Sequence, residues 1–196
     1  MIRRSSPVLC LLNLLYFLCL TAMPGKLAAQ VTSDQLLHSS DGPTNWLLYS
    51  GSYDAHRFSS LSQINRDNVS ELAPQWVLQT SAPGFFEATP LVVDGVMYVT
   101  APEDNAYALD ARTGRRLWTY TRALPEKIRA CCGHTNRGFA ILGTRLFLAT
   151  LDAHVVALDS ATGNVLWDVK AADYTQGHAF TVAPLVVKDK VIVGVS

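Results

Sequence analysis

Short apolar stretches separated by turn residues occupy most of the chain after residue 85. The segments TPLVV (89–93) and VMYVT (96–100) flank Asp94-Gly95, a dipeptide that favours a tight β-hairpin. The segments AYALD (106–110) and RRLWTY (115–120) follow, with ARTG between them. This pattern predicts four short antiparallel strands within about 32 residues.

The same pattern returns further along the chain. ALDARTGRRLW at 108–118 matches ALDSATGNVLW at 157–167, displaced by 49 positions. FAIL, RLFLAT and HVVAL precede the second copy, and APLVVKDKVIVGVS opens a third at residue 183. A four-stranded unit repeated roughly every 40–50 residues is typical of an all-β fold, the β-propeller. We expect two complete blades of four antiparallel strands, the start of a third, and one further strand around Trp76.

The turn Asp-x-x-Thr-Gly has the same physical reason in both copies. Asp110 and Asp159 can accept hydrogen bonds from backbone amides, and the glycine supplies a positive φ. Trp118 and Trp167 then fall on the outermost strands, where we expect them to dock against a neighbouring blade. Because a propeller needs about 4–8 blades, we expect residues 30–196 to be the N-terminal part of a longer propeller domain, about two and a half blades.

The beginning of the chain has a different pattern. Arg3 and Arg4 precede the apolar run PVLCLLNLLYFLCLTA, and the small residues of KLAAQ follow. This predicts a secretory signal peptide over residues 1–29, cleaved near Ala29. A retained membrane anchor is the alternative, although the run is short for a membrane span. We therefore expect a periplasmic product without a stable membrane span.

Export changes the charge and the cysteine content. Residues 1–29 carry three of the 16 basic residues and no acidic one, so residues 30–196 have a net charge of −3, which does not indicate nucleic-acid binding. Only Cys131 and Cys132 remain, and disulfides persist outside the cytosol, so we expect the pair to be oxidised. Adjacent Cα atoms lie about 3.8 Å apart, so a disulfide between these cysteines closes no loop and is not expected to stabilise the fold.

Three polar residues are predicted to occupy equivalent positions just before the first strands of successive blades. Counting back three residues from the strands gives Glu87, Arg137 and Thr181. Since the first strand of a blade lines the central channel, we expect them to converge at one channel mouth, with the cysteine pair on the same rim. Arginine recognises carboxylates bidentately, so the set predicts an anionic planar ligand. A metal site at CCGH (131–134) is the alternative, but adjacent thiolates fit one tetrahedral ion poorly.

At these residues the chain resembles the alcohol dehydrogenases that depend on pyrroloquinoline quinone (PQQ), the eight-bladed periplasmic quinoproteins of the methanol and ethanol type. The resemblance runs from Trp46 to Ser196. It rests on the cysteine pair five residues before Arg137, the strand FFEATPLVV, the two tryptophan repeats and TVAPLVVKDKVIVGVS.

The resemblance implies a cofactor site. A disulfide between Cys131 and Cys132 would cover one face of PQQ, and four further residues match positions that hydrogen-bond the polar edge of the quinone: Glu87, Arg137, Thr181 and Ser196. It also implies oxidation of primary alcohols to aldehydes, with Ca²⁺ polarising the C5 carbonyl of PQQ and a c-type cytochrome as electron acceptor. The family's Ca²⁺ ligands, catalytic aspartate and tryptophan floor lie beyond the position of Ser196, so we expect residues 30–196 to be inactive alone.

Two other functions stay open. A non-enzymatic periplasmic scaffold could use the same tryptophan repeats for protein contacts, and a quinoprotein sugar dehydrogenase belongs to the same group of enzymes. The cysteine pair favours the alcohol type over both, and a scaffold has no use for such a pair.

Overall fold

The computed structural model of the chain describes residues 30–130 and 133–196. The predicted signal peptide, residues 1–29, and the predicted pairing of Cys131 with Cys132 lie outside these residues. Within the described part, no helix is long and apolar enough to cross a bilayer.

Within residues 30–130 and 133–196, ten strands form two four-stranded antiparallel sheets and one hairpin. In each sheet the strands are adjacent in chain order, β1-β2-β3-β4 and β5-β6-β7-β8, and β9 pairs with β10. The two complete blades and the start of the third are thus confirmed. The strands are β1 Leu91–Val93, β2 Val96–Ala101, β3 Asn105–Asp110, β4 Arg116–Tyr120, β5 Ala140–Leu142, β6 Arg145–Ala149, β7 His154–Asp159, β8 Val165–Lys170, β9 Leu185–Val187 and β10 Lys190–Ile192.

The helices are short, and most of them precede the first sheet in sequence. The helix α1, Ser33–Leu37, begins with a capping box in which Thr32 Oγ1 accepts from the Gln35 amide (3.1 Å) and Gln35 Oε1 accepts from the Thr32 amide (2.8 Å). Four short 3₁₀ helices accompany it in the described residues: Ser39–Asp41, Val69–Glu71, Pro102–Asp104 and Tyr174–Gln176.

The turns between strands follow the sequence pattern. Asp94 and Gly95 both have positive φ, 48° and 81°, as the predicted tight hairpin requires. In the later turns, Asp110 Oδ1 accepts from the amide of Thr113 at 2.9 Å, and Asp159 Oδ1 accepts from the amide of Thr162 at 2.9 Å. The glycines that close these two turns also have positive φ: Gly114 at 70° and Gly163 at 75°.

Tryptophans join each unit to the next through these turns. Trp118 on β4 donates from Nε1 to the carbonyl of Ser160 in the second sheet at 2.9 Å. A Cβ atom at Gly163 would lie 2.7 Å from the Trp118 ring, so the glycine is needed for the indole to pack as well as for the backbone angle. Trp76 makes the same contact with the first sheet, donating to the carbonyl of Ala111 at 3.2 Å. The predicted docking of Trp118 is therefore confirmed.

The predicted strand around Trp76 is wrong for this structure. Residues 77–80 have no regular secondary structure, although Trp76 packs on the first sheet as a strand residue of a blade would. A β-strand needs a neighbour to complete its backbone hydrogen bonds, and none of the described strands pairs with this segment.

A large apolar cluster joins both sheets to the N-terminal segment. The segment is attached by isolated bridges between Val31 and Gly143 and between Trp46 and Val92. Tyr53 O–H also donates to the carbonyl of Val186 at 2.5 Å. The cluster contains, among others, Val31, Leu36, Leu47, Leu91, Tyr98, Trp118, Phe139, Ile141, Leu146, Leu148, Val156 and Leu158.

Charged side chains also connect the two sheets. Arg122, just after β4, contacts Asp152 through Nε and Nη2, both at 2.7 Å, and Asp168 on β8 through Nη1 at 2.9 Å. His154 Nδ1 lies 2.6 Å from Asp168 Oδ1. Partial burial raises the pKa of Asp168, but the hydrogen bonds from Arg122 and His154 outweigh it and hold that pKa below its usual value.

Candidate functional site

Three chain segments lie side by side where they lead into β1, β5 and β9. The amide of Thr89 donates to the carbonyl of Arg137 at 3.1 Å, and the amide of Arg137 donates to the carbonyl of Thr181 at 3.2 Å. The backbone of Arg137 is therefore held from both sides by the first-strand segments of the neighbouring units.

The side chains of the three predicted residues, Glu87, Arg137 and Thr181, meet just before strands β1, β5 and β9. Arg137 Nη2 lies 2.8 Å from Glu87 Oε2, and Arg137 Nη1 donates to Thr181 Oγ1 at 2.8 Å and to the Thr181 carbonyl at 3.2 Å. The Arg137 and Glu87 side chains are 29% and 40% exposed, and Thr181 is buried. The predicted convergence of these three residues is observed, and the arginine is its centre.

The strand register corrects the way in which the sequence aligned them. Ala140 begins β5 as Leu91 begins β1, because each starts the strand that precedes its hairpin by the same number of residues. Asn136, and not Arg137, is therefore the counterpart of Glu87. Arg137 stands one residue nearer to its strand, and the length of its side chain lets the guanidinium reach both neighbours.

The other predicted site residues have different positions. Ser196 forms a backbone pair with Ala179, two residues before Thr181, and its hydroxyl donates to the Ala179 carbonyl at 3.0 Å. This places Ser196 beside the segment that carries Thr181. Cys131 and Cys132 are outside the described residues, so their predicted position over a ligand face stays a prediction.

Two buried polar residues behind Arg137 were missed from the sequence. Asn136 is 1% exposed, and its Nδ2 donates to Asp104 Oδ1 at 2.8 Å and to the Ala149 carbonyl at 2.9 Å. Asp104 is fully buried, and its Oδ2 accepts from the amide of Leu151 at 2.7 Å. The available signal was a difference between the repeats, since displacement by 49 positions gives Ala153 where the first copy has Asp104.

Burial has a large effect on the carboxyl group of Asp104. Loss of solvation raises its pKa to about 7, although the hydrogen bonds from Leu151 and Asn136 favour the ionised form. The nearby charge of Asp152 raises this pKa further, whereas Arg122 lowers it. A carboxyl group with a raised pKa is therefore hydrogen-bonded to Asn136, the residue that precedes Arg137.

The polar groups of the cluster match a ligand that carries carboxylates. A guanidinium has five N–H donors, and the contacts to Glu87 and Thr181 among the described residues do not use all of them. Thr181 Oγ1 accepts from Arg137, so its own O–H is left to donate to a ligand oxygen. This donor set suits an anionic ligand, as the residue types predicted.

The alternative of a metal site at residues 131–134 includes Cys131 and Cys132, which lie outside the described residues, so it stays open. Among residues 30–130 and 133–196, no group of three or more His, Cys, Asp or Glu side chains is arranged to hold a metal ion.

The comparisons with known proteins agree with the fold. Residues 46–196 match the family model described as PQQ: Glucose/ethanol/alcohol dehydrogenase, beta-propeller domain.

Individual relatives are alcohol dehydrogenases much longer than this chain. The quinoprotein ethanol dehydrogenase of Pseudomonas aeruginosa is 42% identical over 178 residues, which are 90% of this chain and 29% of the relative. The 1-butanol dehydrogenase (quinone) of Thauera butanivorans is 41% identical and matches over 86% of this chain and 27% of its own length. A solved structure, a europium-containing methanol dehydrogenase, superposes with a TM-score of 0.79 at 42% identity, over 83% of this chain and 29% of that one.

Proposed function

The chain belongs to the family of PQQ-dependent glucose, ethanol and alcohol dehydrogenase β-propellers, and on this premise we propose that it supplies the first blades of a periplasmic enzyme that oxidises primary alcohols to aldehydes. The observation that carries the proposal is the cluster in which Arg137 joins Glu87 and Thr181 at one edge. The ethanol and butanol dehydrogenases among the relatives support a primary alcohol as the substrate.

The residues of this chain bind and orient the cofactor in the proposed enzyme. Arg137 would pair with a carboxylate of PQQ, Thr181 would donate its O–H to a ligand oxygen, and Glu87 holds the guanidinium in place from the opposite side. Ser196 and a disulfide between Cys131 and Cys132 complete the site in the proposal. PQQ, when bound with Ca²⁺, supplies the acceptor for the two electrons of the alcohol.

The finer features of the proposal follow from the family resemblance. The signal peptide directs the product to the periplasm, a c-type cytochrome receives the electrons, and residues 30–196 alone have no activity because the metal ligands and the base lie beyond the position of Ser196. A lanthanide is the other metal to consider, since a methanol dehydrogenase of Methylacidiphilum fumariolicum that is 41% identical depends on lanthanides.

Cofactor reconstitution of the natural gene product tests the proposal. The apoprotein is mixed with PQQ and with Ca²⁺ or a lanthanide, and dye reduction is measured with ethanol, 1-butanol and glucose. We expect PQQ to bind and the two alcohols to be oxidised. Failure to bind PQQ, or oxidation of glucose alone, would contradict the proposal.

A substitution at the cluster links the activity to these residues. Arg137→Ala removes a charged hydrogen-bonding partner, and we expect PQQ to bind about 10- to 100-fold more weakly. Arg112→Ala is the matched control, because Arg112 lies exposed in the Asp110–Gly114 turn of the first sheet, and it should leave PQQ binding unchanged.

Export and the cysteine pair are tested separately. N-terminal sequencing of exported protein should begin near residue 30, and an intact Met1 in a membrane fraction would exclude the signal peptide. An unreduced digest should give the peptide with Cys131 and Cys132 two hydrogens lighter, whereas thiols that alkylate without reduction would exclude the disulfide.

A further inference from the structure

We infer that Asn136 and Asp104 are positioning residues, which hold the backbone on both sides of Arg137 so that its guanidinium meets the ligand. The inference rests on the proposed function, because the ligand that it invokes is PQQ. Neither residue belongs to the exposed cluster, since both are buried behind it.

The side chain of Asn136 spans Arg137. Its Oδ1 accepts from the amide of Gly138 at 3.1 Å, and its Nδ2 donates to Asp104 and to Ala149. The carbonyl of Asn136 accepts a further hydrogen bond from Thr100 Oγ1 at 3.1 Å. The residues before and after Arg137 are therefore fixed through one side chain, and only the guanidinium extends to the edge.

The turn that carries Asp104 holds the same segment at a second point. The amide of Glu103 donates to the carbonyl of His134 at 2.9 Å, two residues before Asn136. Glu103 and Asp104 both have left-handed φ, 61° and 54°, a conformation that costs energy for residues other than glycine. A strained turn therefore contacts the arginine segment through its backbone and through its carboxylate.

The second sheet shows that such a turn does not require a buried carboxylate. Ala153 is the counterpart of Asp104 and has a similar left-handed φ, 64°. A carboxylate at this buried position is unfavourable, as the raised pKa of Asp104 shows. The carboxylate of Asp104 serves to orient Asn136, whose side-chain amide bridges Arg137.

Close backbone packing leaves little freedom after Arg137. Gly138 has a φ of 136°, and a Cβ atom there would lie 2.9 Å from the carbonyl oxygen of Thr89. Asn136 takes the strand position that Glu87 and Thr181 hold in their own units, and this moves Arg137 one residue along. The offset gives the guanidinium access to both neighbours at once.

A double-mutant cycle tests the inference in the natural gene product. The dissociation constant of PQQ is measured with apoprotein at fixed Ca²⁺ for the wild type, Asn136→Ala, Arg137→Ala and the double variant. If Asn136 acts through Arg137, Asn136→Ala weakens PQQ binding by about tenfold in the wild type and leaves it unchanged in the Arg137→Ala background.

A stability control separates positioning from general destabilisation. Leu146→Ala removes a fully buried side chain of the core, and it should lower the melting temperature while changing the dissociation constant by less than about twofold. If Asn136→Ala does not fold, Thr100→Val removes only the hydrogen bond to the Asn136 carbonyl. We then expect PQQ binding about threefold weaker in the wild type and unchanged in the Arg137→Ala background.

The possible outcomes separate the inference from the proposed function. Equal weakening by Asn136→Ala, or by Thr100→Val, in both backgrounds would overturn the inference alone, as would an effect no larger than that of Leu146→Ala. A wild-type protein that does not bind PQQ would overturn the proposed function and the inference with it.

Discussion

The two complete sheets share one sequence pattern but differ in the burial of their outer strands. Trp118 on β4 is 9% exposed, whereas Trp167, its counterpart on β8, is 38% exposed. All six residues of β8 are exposed, including Val165, Leu166 and Val169. The difference arises because the turn Asp159–Gly163 covers Trp118, and no turn of this type covers Trp167 within the described residues.

This comparison shows that a tryptophan repeat encodes only half of a contact. Each repeat provides an indole for the following unit and a glycine turn for the preceding one, as Trp76 on Gly114 and Trp118 on Gly163 demonstrate. The stability of one blade therefore depends on its neighbours, as in other repeat proteins.

The largest expected effect concerns residues 30–196 expressed alone. The exposed apolar side chains of β8 form an uncovered edge of a kind that favours association between copies. We expect this polypeptide to aggregate or fold poorly, to bind no PQQ and to show no dye reduction. Light scattering after size-exclusion chromatography measures the association. A monomer that melts cooperatively and oxidises ethanol would contradict the expectation.

The next prediction compares the two tryptophans in the natural gene product. Trp118→Ala removes a buried indole and should cost about 3–5 kcal/mol of unfolding free energy. Since the proposed function places a further blade after β8, Trp167→Ala should cost about as much. Denaturant unfolding of both variants measures this. A loss for Trp167→Ala of less than about half that of Trp118→Ala would argue against a covering turn.

Asp104, whose counterpart in the second sheet is Ala153, should make the stability of the folded protein depend on pH. Burial raises the pKa of Asp104 to about 7 in the folded state, above its value of 3.8 when solvated. The folded protein therefore binds more protons than the unfolded chain between these values, and its stability falls as the pH rises from about 4 to 7. At one pKa unit per about 1.4 kcal/mol, the loss is roughly 4 kcal/mol at most.

The Asp104→Asn variant isolates this effect from other titrating groups. The stability of the wild type relative to the variant should decrease as the pH rises through this window, because only the wild type has a carboxyl group at this position. Denaturant titrations at several pH values measure the difference. A stability difference that does not change between pH 4 and 7 would show that the pKa of Asp104 is not raised.

The smallest expected effect distinguishes two roles of a turn glycine, which are to adopt a positive φ and to leave room for the tryptophan ring. Gly163→Ala meets the Trp118 ring at 2.7 Å and also has a φ of 75°, whereas Gly143→Ala has a φ of 61° with nothing within 4 Å. The conformational cost of alanine at such angles is about 1–2 kcal/mol in both. We expect Gly163→Ala to cost about 1–2 kcal/mol more, because the indole must move. Equal losses in thermal unfolding would mean that the Trp118 contact contributes little.

The sequence determined most of the secondary structure of this protein. Strand pairs, the Asp94-Gly95 hairpin and the Asp-x-x-Thr-Gly turns depend on residues close together in the chain, and their repetition made the two sheets visible. The residue types at Glu87, Arg137 and Thr181 also indicated an anionic ligand, because the repeat placed them at the start of successive units.

The tertiary structure alone decided how these parts fit together. The one-residue offset of Arg137 depends on strand register, and the pairing of Asn136 with Asp104 joins residues 32 positions apart. The irregular segment at 77–80 and the exposure of Trp167 likewise depend on whether a partner surface is present. Local sequence specifies hydrogen bonds within a turn or hairpin, but it does not specify which distant group a buried side chain meets, because that is set by the packing of one sheet on the next.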